Sequence, residues 1–129
     1  MLLLILLGLT VVPTKTTYIA AEGVKESVPK ELTIEERITA KLPAVFVKIA
    51  NKESLLKTDA YNPEWHYNKQ GEKLCQGSYG LIQIACIHFD DYLGNFDVDT
   101  NLQLALKIYK DRGFSAWSVC LNGSVKCIN

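Results

Sequence analysis

Residues 46–54 read FVKIANKES, and helical steps from Phe46 lead to Ile49, Ala50 and then Glu53 at i, i+3, i+4 and i+7. A carboxylate therefore takes the next slot of an apolar stripe. Upstream, Thr33 with Glu36 three residues later forms a capping-box pattern, and Ile34 and Ile38 supply an apolar edge. Pro43 interrupts that pattern and is tolerated in the first turn of a second helix beginning near Leu42. The spacing thus predicts helix over about residues 33–53, broken near Pro43, with Glu53 close to its end. Either the acid is drawn partly out of water, which lifts its pKa at about 1.4 kcal/mol per unit, or it frays off the helix end into solvent.

From Asp59 to Gln76 no helical period is found. Tyr61, Asn62, Trp65, His66, Tyr67 and Asn68 with Gly71 read as a turn-rich, aromatic and polar lobe. Such side chains suit stacking on sugar rings and bonding to hydroxyl and acetamido groups, or ordinary loop packing. Residues 75–89, CQGSYGLIQIACIHF, follow. Gly77 and Gly80 permit a tight turn, and the apolar run from Leu81 predicts a helix over about 81–92. Gln83 is a single amide in that run and must find hydrogen-bond partners, since a buried amide without them costs on the order of 1–3 kcal/mol. A third helix is expected over about 99–111, with Leu102, Ala105, Leu106 and Tyr109 on one face and Asp97 or Asp99 as its cap.

Four cysteines, Cys75, Cys86, Cys120 and Cys127, suit a disulfide framework in an oxidising compartment. Local pairing, Cys75 with Cys86 and Cys120 with Cys127, needs the fewest assumptions. No C-x-x-C pair occurs and His66 and His88 lack helical ligand spacing, so neither a metal site nor any other cofactor is expected. The chain opens on MLLLILLGLTVV, too short to cross a membrane but suited to the apolar region of an export signal, with Ala20 and Ala21 as small residues at a cleavage site. A retained anchor or a buried helix is the alternative. Residues 1–21 are thus expected to be a signal or apolar segment, 22–32 a polar linker containing Pro29, and 33–129 the folded domain. Lys plus Arg equal Asp plus Glu at 14 each, which leaves no basic field for a nucleic-acid backbone.

Three segments in order, IANKES, GSYGLIQIA and FDVDTNLQLALKIYKDRGFSAW, resemble the lysozyme-like superfamily, specifically the soluble lytic transglycosylase type related to goose-type lysozyme. In that family a helix ends in Glu-Ser, a Gly-Leu-apolar-Gln motif follows a small hairpin lobe, and a D-x-x-x-N segment precedes a later helix. The matching residues here are Glu53 and Ser54, then Gly80, Leu81, Ile82 and Gln83, then Asp97 to Asn101, and the resemblance covers about residues 32–118. An Ala-Tyr-Asn segment common in the family is replaced by SAWSVC, so Trp117 either stacks in the cleft or packs the core.

The resemblance implies an α+β, mostly helical, lysozyme-like fold with a small β-hairpin lobe near residues 60–78 and a cleft between lobes. It implies an exported enzyme, secreted, periplasmic or wall-associated, cleaving the β-1,4 bonds of a peptidoglycan glycan strand. Glu53 would be its sole acid/base. Gln83 and the segment Ser78, Tyr79, Gly80, Leu81 would hold the glycan, with Ser54, Asn101 and Tyr109 as further substrate-side residues. Core packing is the other role open to Tyr109, and helix capping the other open to Asn101. A hydrolase needs a second carboxylate, and Asp59, Glu64, Glu72, Asp90 and Asp91 carry no pattern that singles one out. A lytic transglycosylase needs none, because the muramic hydroxyl attacks to give a 1,6-anhydro product. A glycan-binding wall protein without turnover is the reading from another class. A monomer with no integral membrane span is expected.

Overall fold

The computed structural model describes residues 27–128. The expected signal segment 1–21 and the first part of the linker lie outside these residues. Residues 27–31 form no regular element, and from Leu32 onward the chain forms one compact unit. That unit is a small α+β assembly of helices and a three-stranded antiparallel sheet.

Helix α1, Ile34–Thr39, opens with the expected capping box. The Glu36 backbone N–H donates to the Thr33 hydroxyl at 3.1 Å, and the Thr33 N–H donates to the Glu36 carboxylate at 2.9 Å. Pro43 then separates it from α2, Val45–Ser54, whose Phe46, Ile49 and Ala50 are fully buried. Leu55 and Leu56 take left-handed conformations (φ 56° and 60°) and end the helix directly after the Glu53–Ser54 pair.

Strands β1, Tyr61–Tyr67, and β2, Lys73–Tyr79, form the hairpin, joined by a turn in which the Asn68 side chain accepts from the N–H groups of Gln70 and Glu72. A third strand, β3, Ile84–Ala85, pairs with the end of β2 in the register Ser78 with Ala85. The Cys75–Cys86 disulfide binds β2 to the 3-10 turn Cys86–His88, and Cys120–Cys127 closes the C-terminal loop, so the pairing is local at both sites.

The helix expected over 81–92 is not formed. Its residues make a tight turn, the short β3 and two 3-10 turns. The physical reason is the period of burial: Ile82, Ile84 and Cys86 are buried while Gln83, Ala85 and Ile87 are less so. That alternation fits a strand edge and not a helix face. Gln83 itself is left-handed (φ 49°). The disulfide therefore ties the hairpin to a 3-10 turn instead of a helix.

Helix α3, Val98–Arg112, is the longest described element and agrees with the expected third helix. Asp97 is its cap, accepting from the Thr100 N–H at 2.9 Å. Arg37 of α1 bonds Asp99 at 2.9 Å and joins the two helices near their polar ends. Gly113 (φ 63°) stops α3, and the short α4, Ser118–Leu121, follows a 3-10 turn. The core lies between α2, α3 and the turn after β2: Ile49, Leu81, Ile82, Leu102 and Ala105 are all fully buried.

Candidate active-site cleft

Phe46 anchors the floor of the site. Trp117 meets it edge-on at 4.9 Å, Tyr109 at 5.4 Å, and Phe114 lies 5.8 Å away. The Trp117 indole N–H donates to the Ile82 carbonyl at 3.3 Å, which locks the ring while leaving its edge on the cleft wall. Of the two roles open to it, Trp117 takes core packing: it is 5% exposed and reaches the cleft lining only at its margin. The rings hold α2 in place, so Glu53, two turns on from Phe46, emerges at a fixed position.

Glu53 is half-buried and lines a cleft of about 290 Å³. The opposite wall is the hairpin: Asn62, Glu64 and His66 of β1 and Ser78 of β2. Burial pushes the Glu53 carboxyl above the usual glutamate pKa, and the nearby charge of Glu64 pushes it further the same way. Both effects favour the protonated acid. His88, also in the cleft lining, is held below the usual histidine value by burial, then by the charges of Arg112, His66 and Lys107.

Glu64 is itself exposed and kept in place by neighbours. The Asn62 amide donates to one of its oxygens at 3.4 Å, and His66 Nε2 lies 3.7 Å from the other. The Ser78 hydroxyl is 3.4 Å from that same His66 nitrogen. A nucleophilic serine needs the base to meet the hydroxyl through one ring nitrogen and the acid through the other. Here both meet Nε2, so the trio positions side chains and does not form a relay.

Of the residues the resemblance placed at the site, Glu53, Ser78 and Gln83 line this cleft together. Gln83 spends both amide hydrogens on the backbone, donating to the carbonyls of Ala60 and Gly80 at 3.0 Å each. Its side chain offers the cleft an acceptor oxygen only. The others serve the frame. Ser54 is buried and its hydroxyl donates to the Ala50 carbonyl at 2.9 Å. Asn101, 1% exposed, accepts from the Ile82 N–H at 2.9 Å and donates to the Tyr79 carbonyl at 2.7 Å, clamping both sides of the Gly80–Leu81 turn. Leu81 fills the core, Tyr79 packs among Tyr61, Phe89 and Phe96, and the Tyr109 ring packs on Phe46 and Phe114. Asn101 is absent from the cleft lining and holds the turn that precedes Gln83, while the cap of α3 is Asp97.

The hairpin's aromatic residues are placed differently from the polar ones. Tyr61, Trp65 and Tyr67 are exposed and absent from the cleft lining, with Lys73 lying 4.4 Å over the Trp65 ring. Asn62, Glu64 and His66 occur at alternate positions of β1, and that spacing puts them on the cleft side. Arg112 and His88 are ionisable cleft residues to which the sequence assigned no site role. Among the described residues no group of three His, Cys, Asp or Glu side chains gathers as a metal-binding set. No helix among them is long and apolar enough to cross a membrane. No family model, curated protein or solved structure matches the chain.

Proposed function

We propose that the chain is a small exported glycosidase of lysozyme-like fold that cleaves peptidoglycan by lytic transglycosylation, with Glu53 as acid and then base. The observation that carries the reading is the position of Glu53. It ends a helix packed into the core and reaches a cleft walled by a polar hairpin, and burial and the charge of Glu64 raise its pKa. A general acid requires that combination of reach and raised pKa.

In the reaction the Glu53 proton goes to the bridging oxygen, the anomeric C–O bond breaks, and positive charge develops on the ring left behind. The 6-hydroxyl of that same muramic ring then attacks its anomeric carbon and gives its proton to the Glu53 carboxylate. The acid is regenerated and the product is a 1,6-anhydro sugar. The Gln83 oxygen is suited to accept from an acetamido N–H, and the Ser78 hydroxyl to bond a ring substituent. Two disulfides fit an oxidising compartment, which supports export.

A second reading, hydrolysis, is favoured by one observation: Glu64 lines the same cleft as Glu53, and Asn62 and His66 hold it. A carboxylate so placed is the group a hydrolase uses to activate water or to meet the ring cation. Digestion of purified peptidoglycan by the parent and by Glu53→Gln, with mass spectrometry of the released fragments, tests both. Anhydro-muramyl products from the parent, and a rate about 10²–10⁴-fold lower in the variant, are expected for the leading reading. Reducing ends would assign hydrolysis. Binding without release by either protein would leave a glycan-binding wall protein.

A further inference from the structure

A second groove of about 670 Å³ adjoins the first and shares His88, Ile108 and Arg112 with it. Its character is opposite. The cleft carries two carboxylates, Glu53 and Glu64, against Arg112, whereas the groove carries Lys107, Lys110 and Arg112 against Asp111. The chain as a whole is neutral, so this is a local concentration of cations. Lys107 and Lys110 are one helical turn apart on α3, and Leu104 and Ile108 give the groove an apolar floor beside them. Among the described residues the close contacts of basic side chains with carboxylates are Arg37–Asp99 and His66–Glu64, so none of the three groove cations is paired with a carboxylate.

We propose that this groove binds the carboxylate-bearing peptide appendage of the glycan whose backbone occupies the cleft, with Lys107, Lys110 and Arg112 meeting its carboxylates. The proposal rests on the peptidoglycan reading for the source of the anion, but the groove's chemistry stands by itself. Unpaired cations beside an apolar floor suit a short acidic peptide, which supplies both carboxylates and methyl or methylene groups. The change of sign at Arg112 also orients the strand. An anionic branch is repelled from the Glu64 side of the cleft and drawn to the Lys107 end.

The chain has two histidines, His66 and His88, so the ring signals of His88 are assigned by comparison with His66→Asn. Two ligands are titrated at low salt into the Glu53→Gln protein, which cannot consume them: peptidoglycan strands with their peptides, and the same strands stripped of peptide by an amidase. The peptide freed by the amidase is the third probe. Strands with peptides are expected to bind about tenfold more tightly than stripped strands, and the gap to close in a further Lys107→Gln/Lys110→Gln variant. The free peptide should raise the His88 pKa, because a bound carboxylate favours the charged ring and offsets the cations that add to burial in depressing it. Both lysines are exposed, so the variant should fold as the parent does.

Equal affinity for the two strands, or a gap that survives the double substitution, overturns the groove proposal. If neither strand binds while the free peptide still shifts His88 in a lysine-dependent way, the acidic-peptide site stands and the glycan reading falls. If the peptide leaves His88 unmoved as well, both fall.

Discussion

The side-chain amide of Asn101 occupies the space that a β-carbon on Gly80 would need, its Nδ2 lying 2.6 Å from that position. Gly80 also sits at φ 77°, where other residues are strained. The turn that carries Gln83 into the cleft therefore depends on a missing side chain and on the amide that fills its place. Gly80→Ala is expected to cost about 1–3 kcal/mol. Asn101→Ala, which strands the buried Ile82 N–H, should cost about 2–4 kcal/mol. Urea denaturation measures both, and an unchanged midpoint for Asn101→Ala would refute the clamp.

Glu53 should be a liability for stability. Its folded-state pKa is raised by burial and by Glu64, so the folded protein holds the proton more tightly than the unfolded chain does. Stability is then greatest below the ordinary glutamate pKa and declines as pH rises through the raised folded value. Glu53→Gln is expected to melt higher than the parent at neutral pH, by an amount that solvent screening of this half-exposed group keeps small. The gain should vanish as pH falls below about 4. Thermal melts of the two proteins across pH decide it; a variant less stable than the parent at pH 7 would contradict the account.

Removing the charge on Glu64 should act on Glu53 across the cleft. In Glu64→Gln the Glu53 pKa is expected to fall toward the ordinary range without reaching it, because burial, the larger cause, persists. Carbon-detected titration of the Glu53 carboxyl reads this directly. Any alkaline limb of activity set by Glu53 should move to lower pH by the same amount. If hydrolysis is the reaction, the rate at the optimum should also collapse; for transglycosylation it should stay within about tenfold.

The two disulfides brace different parts of the site. Cys75–Cys86 spans 11 residues and holds the hairpin wall, and Cys120–Cys127 spans 7 and holds the loop after α4. Replacing either pair by serine should cost about 2–3 kcal/mol. Only loss of Cys75–Cys86 should also disturb the Glu64 and His66 side of the cleft. Chemical shifts of the two histidine rings distinguish the cases, since His66 should move in the first variant and stay in the second.

The helices were readable because their signals are local. The Thr33–Glu36 box, the Phe46–Glu53 stripe and the Asp97 cap each lie within one or two turns of chain, and the folded structure keeps them. The segment after β2 was misread because Leu81 to Ile87 is apolar enough to suit either a helix or a buried strand. The alternation of Ile82, Ile84 and Cys86, two of them β-branched, was the signal for the strand. At the site, Glu53 stood out because it breaks an apolar pattern. Glu64 did not, because it is one acid among several until β1 is recognised as a strand and Asn62, Glu64 and His66 fall on one side. Arg112 and His88 come to one cleft only because α3 packs against β3, just before His88, which no local spacing encodes.

Strand β1 is an edge strand of the sheet, paired with β2 on one side alone. It carries Pro63, which has no N–H to offer, and its pairing with β2 is interrupted between Asn62 and Trp65 and again between His66 and Tyr67. An outer strand so broken presents no continuous row of donors and acceptors to a second chain. The same irregular strand that aims Glu64 at the cleft thus works against edge-to-edge stacking, and a hairpin rich in exposed tyrosine and tryptophan is spared the aggregation its composition would invite.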